Sequence, residues 1–166
     1  MSLKPAHALL AILVTAIWGF NFVVIKVGVA HVSPLLLTGL RFLFAAIPAV
    51  FFIKRPGVGW RWVVGYGTFI GVLQFGLLFV SIRLGMTAAL ASVVMQLQVF
   101  FTIGFAAFLL GETSKPVQIL GAAIAFSGMG VIAASRWSGP ELVPFALCLL
   151  AALSWGIANL IVKMSG

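Results

Sequence analysis

Two short stretches of this 166-residue chain hold most of the side chains that could do chemistry. Residues 16–28 read Ala-Ile-Trp-Gly-Phe-Asn-Phe-Val-Val-Ile-Lys-Val-Gly, and residues 153–166 read Leu-Ser-Trp-Gly-Ile-Ala-Asn-Leu-Ile-Val-Lys-Met-Ser-Gly. Trp18, Gly19 and Lys26 recur as Trp155, Gly156 and Lys163, each displaced by the same 137 residues. In the later copy Trp155, Asn159 and Lys163 stand at i, i+4 and i+8, which on a helix makes one polar and aromatic stripe. The earlier copy has Trp18, Phe22 and Lys26 there, and Asn21 turns roughly 60° away from Trp18. Amides and cations set among apolar residues, with no buried carboxylate beside them, suit a small polar ligand that carries a carboxylate itself, because the pairing is strong at low dielectric.

Further polar groups stand in apolar runs. Arg41 lies about two helical turns past Pro34, at a depth where an ionised side chain costs on the order of 3 kcal/mol and is by default a functional residue. The bland alternative is a side chain that snorkels to the headgroups, easier still for Lys26 and Lys163 near their helix ends. For Trp18 and Trp155 the alternative is an interfacial belt, which their mid-span positions weaken. Tyr66, Gln74 and Ser81 share a helical face. Gln96 and Gln98, two residues apart, point to nearly opposite faces, so at most one addresses a given cavity and the other ties helices together.

The elements that must position these groups follow from composition. Hydrophobic residues make up 63% of the chain and charged residues 7%, a surface that only lipid solvates. A bilayer crossing takes roughly 20 apolar residues, and the sequence divides into six such runs, near 6–29, 34–53, 62–83, 87–110, 116–134 and 143–164. Turn-forming segments separate them, and Pro34 and Pro116 sit where a first helical turn tolerates proline. The run after Lys4 continues to about Val29 without a small-residue cleavage site, so a retained first span is expected rather than a removed leader.

Positive charge sets the expected orientation. With the N-terminus in the cytoplasm, Lys4, Lys54, Arg55, Arg61, Lys115 and Lys163 fall on that side, against Lys26, Arg83 and Arg136 on the other. Five spans separate equivalent points of the repeat, so its second copy crosses in the opposite sense. The expected domains are therefore a five-helix unit at 1–135 and, at 136–166, the start of an inverted second unit. Inverted repeats are the architecture from which alternating access is built around a midplane site. Gly67 with Gly71, and Gly121 with Ala125, have the four-residue spacing that lets membrane helices approach closely.

Several classes are disfavoured. The net charge of +8 is scattered rather than gathered into a basic stripe, so no nucleic-acid partner is expected. Cys148 is a lone cysteine in an apolar run, and His7 and His31 lack companion ligands, so no metal or other cofactor is expected. Glu112 and Glu141, the only carboxylates, lie in loops, which leaves no intramembrane carboxylate proton relay. No enzyme motif is present. A carrier leads; the alternatives are a membrane subunit that needs a partner, either a second half or a homo-oligomer, and a broader drug and metabolite efflux carrier.

Residues 18–28 (Trp-Gly-Phe-Asn-Phe-Val-Val-Ile-Lys-Val-Gly), Gly39-Leu40-Arg41-Phe42 after Pro34, Gly65-Tyr66-Gly67 and Gly111-Glu112 resemble the EamA family of the drug/metabolite transporter superfamily. Within it, Ala91 to Thr102 is similar to bacterial O-acetylserine/cysteine exporters. The resemblance covers essentially the whole chain. It implies an all-α membrane protein of inverted five-helix repeats, with about six of an expected ten transmembrane helices present here, residence in the bacterial inner membrane, and export of amino-acid-like metabolites. It matches the family's Trp-Gly and Lys positions at Trp18, Gly19 and Lys26, and again at Trp155, Gly156 and Lys163. A full carrier of this kind would run to roughly twice the repeat length.

Overall fold

A computed structural model of the chain describes residues 5–53, 57–135 and 142–166, and all regular structure among them is helical. The elements are α1 (Pro5–His31), α2 (Pro34–Phe52), α3 (Trp60–Tyr66), a π-helical segment (Gly67–Gln74), α4 (Phe75–Arg83), α5 (Ala88–Met95), α6 (Gln98–Leu110), α7 (Pro116–Ser135) and α8 (Leu142–Met164). Grouped into continuous apolar lengths they give six helices able to cross a membrane, at His7–His31, Pro34–Phe52, Trp60–Arg83, Ala88–Leu110, Pro116–Ala134 and Leu142–Met164. These limits agree with the sequence reading to within two or three residues. Lys4, Lys54, Arg55, Arg136 and Glu141 lie outside the described residues, and with them four of the nine cations that set the expected orientation.

Two spans are not simple α-helices. The third passes through the π segment, and the fourth turns at Gln96 and Leu97 between α5 and α6. Glycine ends two of the helical runs where the backbone must go left-handed: Gly85 after α4 has φ of 114° and Gly111 after α6 has φ of 66°. Thr87 starts α5 by accepting a hydrogen bond from the Leu90 amide at 3.2 Å, satisfying one of the unpaired donors of a helix start.

The sixth span lies at the centre. In its most apolar stretch 44% of residues are buried, against 6% in the first, second and fifth spans. Sequence explains this: α8 presents Cys148, Ala151, Ala152, Gly156 and Ala158, all buried, and small side chains are what allow helix backbones to meet in lipid. Around it pack α3, the π segment, α4, α5 and α6, contributing Leu78, Phe79, Val94 and Met95 to the core.

The contacts also fix helix direction. The Ser81 hydroxyl near the end of α4 donates to the Pro144 carbonyl at the start of α8. At the other end a Cβ built on Gly65 would meet Ile161 at 3.6 Å. The third span and α8 are therefore antiparallel. Arg83 donates to the carbonyls of Val29 at 2.6 Å and Ala30 at 2.9 Å, which caps the unpaired carbonyls ending α1 and places the ends of α1 and α4 on one side. It follows that α1 and α8, the two copies of the repeated stretch, run in opposite directions, with Lys26 and Lys163 at opposite ends of the bundle.

The close approaches differ from those the glycine spacing suggests. Nothing lies within 4 Å of a Cβ built on Gly67, and at Gly71 only the Phe42 ring does, at 3.9 Å; Gly121 meets Phe100 at an ordinary 3.8 Å. Both Gly67 and Gly71 fall within the π segment and open onto a groove beside α2. The tight approach of one helix backbone to another is at Gly156, where an added Cβ would sit 2.7 Å from the Phe101 Cβ and 3.3 Å from the Thr102 amide nitrogen; at Gly28 the equally near atom is the movable tip of Leu37.

Candidate functional site

A cavity of about 400 Å³ opens at mid-span between α1, α2, the third span and α8. That volume lies within the range of small-ligand sites. Its polar and aromatic lining is Trp18, Asn21, Arg41, Tyr66, Gln74 and Trp155, joined by Phe22 and Phe75. Trp18 is the central residue of α1, so the cavity stands far from either membrane face. Across it the rings of Trp18 and Trp155 approach to 5.8 Å between centroids, tilted by 42°. Residues one repeat apart thus meet each other, as they must if they lie beside the axis relating two inverted units.

Arg41 is the single charged group of the lining. Its guanidinium does not turn out along α2. One Nη1–H donates to Asn21 Oδ1 at 3.1 Å, and the group lies 4.6 Å from the centre of the Phe75 ring, within cation–π distance. Phe75 is itself braced edge-on by Phe42 at 5.2 Å and Phe79 at 5.9 Å. A guanidinium has five N–H donors, so the bond to Asn21 leaves most of them for an anion. Asn21, one position out of register with Asn159 in the repeat, acts here by orienting the arginine.

Gln74 is the last residue of the π segment. It is only 3% exposed, lines the cavity, and its Oε1 has no hydrogen-bond partner. Tyr66, eight residues earlier on the cavity wall, is exposed. Ser81 lies seven residues beyond Gln74 in α-helical register, so it keeps that face, but two turns along it reaches the start of α8 at Pro144 rather than the cavity.

The remaining sequence candidates lie outside this lining. Asn159 Nδ2 donates to Gln98 Oε1 at 2.7 Å and to Thr102 Oγ1 at 3.0 Å, a clamp between α8 and α6. Lys163, half-exposed, pairs with Glu112 just beyond α6, a contact worth at most about 1 kcal/mol. Gln96 is exposed at the break between α5 and α6, and Lys26 is exposed on α1. The stripe Trp155, Asn159, Lys163 is therefore real as a helix face but passes from the cavity to a helix interface to an end. Sequence reasoning missed Phe75 as the platform under Arg41 and Thr102 as the partner of Asn159; the aromatic directly after Gln74 was the available signal for the first. Among the described residues no group of three or more metal-ligating side chains occurs.

Replacing Asn159 by Leu is expected to lower the unfolding midpoint in detergent titration, at a cost of about 0.6–2 kcal/mol as for other interhelical amide bonds, while ligand affinity changes less than about twofold. A large affinity loss with unchanged stability would move Asn159 into the site.

Comparison with known proteins adds three findings. Residues 6–134 match the EamA-like transporter family. Proteins named probable amino-acid metabolite efflux pump, from Salmonella typhimurium and from Escherichia coli strain K12, are each 46% identical over 156 residues, covering 93% of this chain and 52% of the relative. An uncharacterized transporter of Bacillus subtilis is 31% identical over 167 residues, covering 91% of this chain and 55% of its own length. The chain spans about half the length of these curated relatives. No solved structure matches it.

Proposed function

The chain belongs to the EamA-like transporter family, and from that premise we propose that it forms part of an exporter of small amino-acid-related metabolites in the bacterial inner membrane. It is a multi-pass, all-α membrane protein whose residues 6–134 match the family. The observation that carries the reading is Arg41, which lines an open mid-span cavity where Asn21 and Phe75 hold its guanidinium and two tryptophans share the lining. A guanidinium retained at that depth is matched to a carboxylate, which it can bind through two parallel N–H bonds. The names of the relatives from Salmonella and Escherichia coli point the same way, and cysteine and O-acetylserine are the substrates we infer.

Transport proceeds by alternating access with the N-terminus cytoplasmic. In support, α1 and α8 run in opposite directions and meet at Trp18 and Trp155, so that rocking one unit against the other exchanges the open side while the cavity stays at mid-depth. Loose packing on one side of α1, where a Cβ on Gly19 would meet nothing while its repeat mate Gly156 is tightly packed, leaves room for a helix of the second unit.

Proteoliposomes holding the protein should accumulate labelled O-acetyl-L-serine or L-cysteine down a gradient. Excess unlabelled L-serine should compete, and L-serinamide, which lacks the carboxylate, should compete at least tenfold less well. Equal competition by the amide would remove the role of Arg41 as the carboxylate receptor.

A further inference from the structure

The cavity contains one feature that a carboxylate receptor does not explain. Gln74 Oε1 is buried, unpartnered and set in the cavity wall. A buried carbonyl oxygen left without a donor costs about 1–3 kcal/mol, and nearly all such atoms find a partner. Donors do stand in the lining, on Arg41, Asn21, Tyr66, Trp18 and Trp155, but none of them bonds this oxygen, and the one Arg41 N–H bond to a lining side chain goes to Asn21.

We propose that Gln74 Oε1 is the acceptor for the substrate's α-ammonium group, so that the cavity reads both ends of a zwitterion. Arg41 takes the carboxylate and Gln74 takes an N–H of the ammonium on the same carbon. Phe75, next to Gln74 in sequence, carries the Arg41 platform, so both receptors belong to one wall. The faces of Trp18 and Trp155 supply the remaining cation attraction that a neutral amide cannot.

The choice of a neutral amide has a consequence. A carboxylate at this position would pair with Arg41 and compete with the substrate. Gln74 instead accepts a donor without neutralising the arginine, which excludes simple cations and still distinguishes an ammonium bearing N–H from one without it. The π segment ends at Gln74; such segments are frequent at functional sites, and this one ends with an amide on the cavity wall.

This inference rests on the exporter reading above and is tested by competition against labelled O-acetyl-L-serine. The competitors are S-methyl-L-cysteine and its N,N,N-trimethyl betaine, which keeps carboxylate and positive charge but has no N–H. The wild-type protein should prefer the amino acid by about tenfold, the effect of one hydrogen bond to a charged group. In Gln74→Met the preference should fall to about threefold or less, with betaine affinity unchanged; retained betaine binding also reports that the variant is folded. Gln74→Asn, which keeps an amide, should restore part of the preference. A wild-type protein that binds both ligands equally, or a Gln74→Met variant that weakens both equally or loses both, overturns the role of Gln74 and leaves the exporter reading intact. Failure of the wild type to bind O-acetyl-L-serine at all would overturn that reading and this inference with it.

Discussion

Substituting Arg41 by Gln should reduce export of an amino-acid substrate by roughly 10- to 100-fold, the largest effect expected of any substitution in the cavity. A hydrogen bond to a charged group contributes about 1.5–3 kcal/mol, and a paired N–H fork is at the upper end; at about 1.4 kcal/mol per tenfold, that gives the range stated. Arg41→Lys should recover little of it, since an ammonium keeps the charge but presents neither the planar fork nor the stacked contact with Phe75 at 4.6 Å. Flux of labelled O-acetyl-L-serine into proteoliposomes measures both variants. Lys26→Gln serves as the contrast: an exposed residue outside the cavity lining, it should lower flux by less than about threefold. Similar losses in the Arg41 and Lys26 variants would mean that general positive charge, rather than one placed guanidinium, carries the effect.

The second large effect is structural. Gly156→Ala is expected to destabilise the bundle, and Gly156→Val to prevent its normal assembly. The added Cβ would stand 2.7 Å from the Cβ of Phe101 and 3.3 Å from the amide nitrogen of Thr102. Neither neighbour is the free end of a flexible side chain, so α6 and α8 must separate as bodies. Overpacking of this kind costs about 1–3 kcal/mol for a single methyl. The movement also stretches the Asn159 bonds to Gln98 and Thr102, which lie one turn along the same interface. Gly19→Ala is the internal control, because the same substitution at the repeat-equivalent position meets nothing within 4 Å and replaces a poor helix former by the best one. Unfolding midpoints in a detergent titration should fall for Gly156→Ala and stay level or rise for Gly19→Ala. A fall in both, or in neither, would contradict the packing described.

These results bear on what sequence could and could not reveal. Membrane spans were readable because a bilayer imposes a length and an apolar composition on any helix crossing it; the limits near Pro34, Arg83, Leu110 and Pro116 are recovered from turn chemistry and runs of apolar residues. Opposed directions for α1 and α8 were readable by counting spans between Trp18 and Trp155. Arg41 stood out because charge in lipid is costly. What was not readable depends on rotation and long-range pairing. Helical-wheel reasoning assumes one period throughout, and the π segment at 67–74 breaks it. Gly67 and Gly71, expected at a close interface, fall within it and open onto a groove, while Ser81 keeps the face of Gln74 but lies beyond the cavity, against Pro144. Whether Asn159 faces a ligand or bonds Gln98, 61 residues away, depends on how α8 seats among the other spans, and no local pattern encodes that. Gly156 was visible as part of a repeated signature, but its tight contact with Phe101 appears only once the helices are assembled.

The account depends most on the mid-span cavity being the seat of an amino-acid ligand, and protection of a single introduced thiol tests this directly. Ile17 lines the cavity and has been given no role in recognition, while native Cys148 is buried and contributes little background. Ile17→Cys should react with a water-soluble maleimide, and saturating O-acetyl-L-serine should slow that reaction at least fivefold, whereas L-serinamide should not. Thr113→Cys, exposed beyond α6, should react at the same rate with and without ligand. Labelling of Ile17→Cys that is unaffected by O-acetyl-L-serine, in protein shown to bind it, would place the ligand elsewhere and contradict the account.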